Sequence, residues 1–537
     1  MKFKLPLIFT ASMLVLGCDP GLPEGSNDYA AGGTAAALSQ GEFNSLPAEQ
    51  QYMVANKLLG TMFRGVSVEE YFDMNAGMAN LQPRSDSFLQ NTKDALASDM
   101  SNEEVLIYDT IIDGLDEEGN PVEDNAKYRF DSNRPRQLPL ARIKEYPISR
   151  DMFVHWMAYV LSNTIMFSPA LEMESTDMAD VQNMYRFLVT NLENNTPIRQ
   201  IIRSNLPSLA RWRVSRSPEN HALEAYELYL GLFETEEDSY RGGIACKDLY
   251  LTPNNEDYLI RRTDFPNTEP QLILDSYYVT TCDDLYDVIA AHPLLIPRVT
   301  EVIINYFFSG RPLDVRTSMI ASITASNPET FEDIFKAIIF SKEYLLNTER
   351  PRSFEENLMS LLDTLQWDAA FNRYPTDEWI FRNMASNSGD RLYLGAMGWD
   401  VMALKIGRYP DVPLDGLSFA NYHKALREEM FLDVGNYRGG DNETKGLLFD
   451  SEGVILPHVE QMSLEEYVDF LFLSAMQRKA TAVEKTDLIA LFVTQSYTTD
   501  VDGVTTVRSE SYYDDIARVT FDYISRLPEQ YYFRAVN

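Results

Sequence analysis

Cationic side chains, cysteine and histidine are all scarce in this 537-residue chain. Lys and Arg together number 46 against 81 Asp and Glu, a formal net charge of −35. A field of that sign repels phosphate backbones, which argues against nucleic acid as a partner. The three cysteines, Cys18, Cys246 and Cys282, form no Cys-x-x-Cys, so iron–sulfur, zinc-ribbon and c-type haem sites lack their spacing. The five histidines, His155, His221, His292, His423 and His458, are scattered, and none belongs to a His-Glu-x-x-His pair. A Gly-x-Ser-x-Gly elbow, a Walker loop and a Gly-x-Gly-x-x-Gly turn are missing too. Carboxylates are so numerous that composition alone singles out no glycosidase-type pair. No uninterrupted apolar run approaches the roughly 20 residues of a membrane-spanning helix.

What is present starts at the amino end. Lys2 and Lys4 precede an almost wholly apolar stretch from Leu5 to Leu16, which leads into Val15-Leu16-Gly17-Cys18. A basic start, an apolar run and a small-residue cleavage site make a secretory signal. The cysteine at the cut resembles a bacterial lipobox, whose thiol is acylated and becomes residue one. The reading is a signal peptide over 1–17, lipidation at Cys18 and a body facing the periplasm or cell exterior from a membrane anchor. Residues 18–43 are rich in Gly, Ala, Ser and Pro and read as a flexible tether. A linker of that length spans about 25–30 Å.

For a chain exported from the reducing cytosol, the pair left over, Cys246 and Cys282, is a disulfide candidate. Two buried free thiols are the alternative, because sequence does not supply the required Cα separation.

With 45% hydrophobic and 12% aromatic residues, the body is rich enough to build cores. Length alone gives two to four domains as a soft expectation. The patterning predicts a mainly α-helical, multi-helix globular fold with a few short hairpins. Apolar positions at three-to-four spacing mark helices over 46–64 and 175–195. Ser67-Val68-Glu69-Glu70 and Ser463-Leu464-Glu465-Glu466 are capping boxes. Asn327-Pro328 reads as an N-cap followed by proline at the first helical position. Leu294 to Phe308 is interrupted by Arg298 and Glu301 and reads as a core helix. Residues 101–148 collect Asp, Asn, Pro and Gly and read as an irregular or hairpin insertion. A hairpin is expected over 494–508 around Asp502-Gly503. These readings divide the body into an N-terminal region, 44–148, and a main domain, 149–537.

Two constellations carry possible chemistry. His221, Glu224 and Glu227 lie at helical spacing, where His221 and Glu224 can share a divalent metal ion; buried carboxylates paired with arginine are the competing reading. No other cofactor is expected. Arg211, Arg213 and Arg216, with Arg203 upstream, precede the helix start at Ser217-Pro218. Guanidinium groups beside a helix N-terminus suit an anion, while ion pairing with neighbouring acids is the alternative.

From about Asp151 to Leu346 the chain resembles the bacterial family called domain of unknown function 1800. Asn220, Glu224, Glu227, Leu228 and Gly231, within Ser217–Gly231, fall on the family's pattern. So do Asp283-Asp284-Leu285, His292-Pro293 and Phe340-Ser341-Lys342-Glu343-Tyr344. The chain departs at Leu223 and Tyr229, where arginine and histidine are usual, and keeps only Gly398-Trp399 of a late segment. The resemblance implies a secreted, largely helical protein without an assigned activity. It also implies a partner similar to the alkaline phosphatase and sulfatase superfamily. Two functions stand open: a lipid-anchored binding or assembly module for an exported partner, and a carboxylate-dependent envelope hydrolase, with or without a metal.

Overall fold

Side chains that cap helix ends explain where most elements begin. The computed structural model describes residues 35–113, 142–162, 164–166, 178–252, 258–364, 462–509 and 512–536, and these are mainly helical with short two-stranded pairs. Cys18, Gly398-Trp399, His423 and His458 lie outside the described residues.

Order begins earlier than composition implies. Ser39 and Glu42 form a capping box that opens α1 (Gln40–Asn44). The amide of Leu38 donates to the Phe340 carbonyl at 2.8 Å, and the Lys342 amide donates to Ala36 at 2.9 Å. Leu38 and Phe43 are buried, so residues 35–43, read as tether, belong to the body. Two isolated apolar side chains in a small-residue stretch suffice once a distant partner segment receives them.

The expected helix over 46–64 is α2 (Ala48–Thr61). Ser67 and Glu70 cap α3 (Val68–Tyr71), and α4 (Phe88–Ala95) follows. Residues 102–113 correct the irregular-insertion reading: they form α5 (Asn102–Asp113). The cause is a third capping box, in which Ser101 Oγ accepts from Glu104 N at 3.2 Å and the Glu104 carboxylate accepts from Ser101 N at 2.8 Å.

Next come α6 (Arg150–Ser162), buried along nearly its whole length, and α7 (Met178–Glu193). A run of short helices comes after them: α8 (Ile198–Asn205), α9 (Leu209–Ser215), α10 (Pro218–Leu230) and α11 (Glu236–Ala245). Helices α10 and α11 lie close because Gly242 and Gly243 face Ala222 and Glu219. A Cβ on Gly243 would meet the Glu219 backbone at 2.8 Å. Two hairpins, β1–β2 (Leu249–Leu251 with Leu259–Arg261) and β3–β4 (Gln271–Ile273 with Tyr277–Val279), lead to α12 (Cys282–Ala291). The Sγ atoms of Cys246 and Cys282 are 2.01 Å apart, a disulfide distance, which ties the end of α11 to the first turn of α12.

The apolar run expected as a core helix is α13 (Leu295–Phe307), packed on α14 (Leu313–Ala325). Asn327 is not the cap that its position before Pro328 suggests. It takes φ of 52° after α14, and Thr330 with Asp333 caps α15 (Phe331–Ile339) instead. Threonine two residues past the proline offers the better-placed hydroxyl. Strand β5 (Arg350–Pro351) then leads into α16 (Phe354–Thr364). The capping box at Ser463 starts α17 (Leu464–Met476), followed by α18 (Ala482–Thr494). The expected hairpin turns at Asp502-Gly503 as β6–β7 (Thr498–Val501 with Val504–Val507). Helix α19 (Tyr512–Ile524) and β8 (Tyr532–Phe533), paired with β5, end the chain.

The described residues on both sides of residue 148 fall in one compact unit, in which α2 packs on α16 and α3 on α17. At the centre of these contacts lies an ion pair. Arg350 and Glu356, 1% and 0% exposed, are joined by two hydrogen bonds of 2.5 and 2.8 Å. Glu356 also accepts from Tyr306 OH at 3.1 Å and from Ser353 N at 2.7 Å, as the acid of the box that opens α16. The Arg350 guanidinium lies 4.8–5.7 Å from the ring centroids of Phe533, Tyr306, Phe307 and Tyr344. Lys57 of α2 is buried beside it and donates to the Thr348 and Arg534 carbonyls. Burial, and secondarily Arg350, pull the Lys57 ammonium well below the ordinary lysine value.

Two outcomes are expected. Removing one partner of a buried pair strands the other charge, so Glu356→Gln should cost about 3–5 kcal/mol in urea unfolding; a loss within the range of a surface Glu→Gln control would contradict that role. Under denaturing conditions without reductant, Cys246 and Cys282 should give no maleimide adduct, whereas two labelled thiols would refute the bridge.

Candidate functional site

The stretch Ser217–Gly231 is α10 with its two caps. Ser217 Oγ accepts from Asn220 N, Pro218 occupies the first helical position, and Gly231 closes the helix at φ of 71°. Leu230-Gly231 therefore has a backbone reason: only a residue without Cβ takes that conformation freely.

Arg211 is fully buried, and its Nη2 lies 3.2 Å from Glu224 Oε2. Asn220 Nδ2 donates to Glu224 Oε1 and to the Ser215 carbonyl, both at 3.0 Å. Three positions thereby have a structural duty: Asn220 and Glu224 bind the preceding helix α9, and Gly231 ends α10.

His221 is fully buried. Its ring stacks on Trp212 at 4.3 Å between centroids and 21° between planes. Nδ1 lies 3.1 Å from Ser215 Oγ, and Nε2 lies 3.1 Å from the Tyr286 hydroxyl. Trp212 Nε1 donates to that same hydroxyl at 3.1 Å, and Ser215 Oγ donates to the Arg211 carbonyl at 3.0 Å. One proton arrangement satisfies every group: Trp212 to Tyr286, Tyr286 to Nε2, Nδ1–H to Ser215, and Ser215 to Arg211. Burial first, and Arg211 second, hold the imidazole far below the ordinary histidine value, which keeps it neutral.

These contacts give His221 and Glu224 partners other than a shared ion. Both imidazole nitrogens are engaged, Glu224 is held by Arg211 and Asn220, and Glu227 forms no ion pair among the described residues. Among those residues no three His, Cys, Asp or Glu side chains stand together as a metal ligand set. Both side chains meet α9, the imidazole at Trp212 and Ser215 in the core and the carboxylate at Arg211. The arginine cluster separates as well. Arg211 is buried, Arg213 is half-buried and Arg216, at φ of 61°, is the exposed cap of α9. Arg203 lies over the Tyr286 ring at 5.3 Å and pairs with Asp287 and Asp283. Ion pairing, the alternative reading, describes Arg203 and Arg211.

A cavity of about 220 Å³ adjoins this frame, between α7 and the α8–α9 turn, with Met184, Phe187, Asn205 and Ser208 in its wall. Asn205 links the two, because its Nδ2 donates to Tyr229 OH at 3.0 Å and the Tyr229 ring lies beneath Arg211. A larger recess of about 440 Å³ lies between α18 and α19, with Tyr497, Tyr523, Arg518 and Arg526 in its wall. Neither gathers convergent carboxylates.

Sequence reasoning missed one further ionisable group. Asp109 Oδ1 accepts from Tyr146 OH at 2.7 Å and from Arg142 Nε at 3.2 Å, and His155 Nδ1 hydrogen-bonds Tyr185 OH. Burial, then Arg142, keeps His155 neutral. These residues come from four separate segments, and no local spacing announces the cluster.

Glu224→Ala should leave the buried Arg211 uncompensated and cost about 3 kcal/mol of unfolding free energy. Glu227→Ala should cost less than about 1 kcal/mol. Equal losses in urea unfolding, or a chelator that lowers the wild-type melting point to that of Glu224→Ala, would refute the assignment.

Comparison with known proteins returns no match: no family model, no curated protein and no solved structure matches this chain.

Proposed function

We propose that this is a lipid-anchored cell-envelope protein whose helical body is a binding or assembly module for an exported partner. The observation that carries the reading is the sequence Val15-Leu16-Gly17-Cys18 behind a basic start and an apolar run. The pairing distance of Cys246 and Cys282 supports it, because such bridges persist outside the reducing cytosol. On the loop those cysteines close, Tyr258, Phe265 and Tyr278 are 69%, 54% and 71% exposed. Aromatic side chains are enriched where protein partners dock. The engagement of His221 and Glu224 in internal hydrogen bonds supports binding over chemistry at α10. The resemblance to the domain of unknown function 1800 family supplies the partner class, an exported protein similar to the alkaline phosphatase and sulfatase superfamily.

Cell fractionation tests the anchor. Wild type should pellet with membranes, and Cys18→Ser should be recovered in the soluble fraction with altered gel mobility. A variant that still pellets and migrates like wild type would overturn the lipobox assignment.

A further inference from the structure

The chain turns at the corner between α8 and α9, and the cavity of about 220 Å³ lies there, with α7 as its third side. Helix α8 ends at Asn205, Leu206-Pro207 follows, and the Ser208 hydroxyl caps α9 by accepting from Arg211 N at 3.3 Å. Drug-sized ligands occupy pockets of about 300–1,000 Å³, so this smaller one suits a single ring.

Its wall has two chemistries. Met184 and Phe187 of α7 supply apolar surface, while Asn183, Ser204, Asn205 and Ser208 supply amide and hydroxyl groups. None of the eight residues in the wall is ionisable, although the chain carries a net charge of −35. Asn183 and Ser204 are exposed and Asn205 is 1% exposed, so the polar groups run from the surface inward.

The innermost of these groups is oriented before any ligand arrives. Asn205 Nδ2 donates to the buried Tyr229 hydroxyl at 3.0 Å, which fixes the carboxamide and leaves Oδ1 on the side of Ser208. Ser208 Oγ reaches Oδ1 only at 3.4 Å, and a carboxamide oxygen accepts two hydrogen bonds. Tyr229 in turn lies against Arg211, itself held by Glu224. An acceptor locked from behind in this way loses little freedom when a ligand binds.

The wall selects by what it lacks. A carboxylate, phosphate or ammonium group would leave water for a surface without a counter-charge. A wholly apolar ligand would shut the inner carboxamide oxygen away from water without bringing a donor. A ring with hydroxyls at its rim and C–H groups on its face meets both halves of the wall. We propose that this cavity is a binding site for a neutral monosaccharide ring, with a sugar hydroxyl donating to Asn205 Oδ1. Other hydroxyls exchange hydrogen bonds with Asn183, Ser204 and Ser208, and the C–H face lies on Phe187 and Met184.

Ligand-observed NMR titration of the full chain tests this, with D-glucose, D-galactose, D-mannose and N-acetyl-D-glucosamine as probes. At least one should bind saturably with a dissociation constant of about 1–10 mM, the range for a ligand of so few atoms. D-glucuronate and protonated D-glucosamine, which put a charge on the same ring, should bind at least about tenfold more weakly than the best neutral probe. Ser204→Phe introduces a ring from an exposed position of α8 and should weaken binding at least about tenfold, as should Phe187→Ala, which removes the stacking surface. Circular dichroism and the urea midpoint check that the variants fold, and if Phe187→Ala does not, Ser204→Phe decides. No saturable binding of any neutral probe up to about 50 mM would overturn the site. So would a charged ring that binds as tightly as the neutral one, or undiminished binding in folded Ser204→Phe.

Discussion

The buried Arg350–Glu356 pair is the constraint on which the rest of the described structure rests. It draws together α13 through Tyr306 and Phe307, the turn at Tyr344, the start of α16, and the C-terminal strand through Phe533. Two charges removed from water require satisfied geometry on every side. Here the carboxylate has arginine, a tyrosine hydroxyl and a backbone amide, and the guanidinium has four aromatic faces. The strand pairing of Arg350 with Phe533, and Lys57 bonded to backbone carbonyls on both sides of it, extend this clasp to the two ends of the described chain. Elements distant in sequence are thus joined by polar contacts with fixed directions, while the surrounding aromatic cluster supplies the larger non-directional term.

The frame around α10 repeats the device on a smaller scale. Arg211 and Glu224 join consecutive helices, and His221 completes a chain of hydrogen bonds from Trp212 to Ser215. Residues that look like chemistry in one dimension are in three dimensions a way of satisfying polar atoms inside a helical core.

Much of the helical architecture was legible. The capping boxes at Ser67 and Ser463, the start at Ser217-Pro218, the apolar helix near 295–307 and the hairpin at Asp502-Gly503 all rest on local rules, and local rules survive folding. The errors have local causes as well. Ser101 with Glu104 carried the same signature as Ser67 with Glu70, yet the polar composition around it obscured the helix. Asn327-Pro328 looked like a cap, but Thr330 held the better geometry. Hairpins β1–β2 and β3–β4 have three-residue strands, too short for a clear alternating pattern.

The candidate site was legible in its parts and illegible in its arrangement. The sequence by itself determined that a helix would start at Ser217-Pro218, that acids would outnumber bases, and that Cys246 and Cys282 were available to each other. Which faces of α10 met which neighbours was decided only by tertiary structure. Helical spacing places His221 and Glu224 on adjoining faces but says nothing about whether an ion, an arginine or a tryptophan waits there. Trp212, Tyr286 and Arg211 arrive from α9 and α12, and their arrival turns a potential ligand set into a packed polar core.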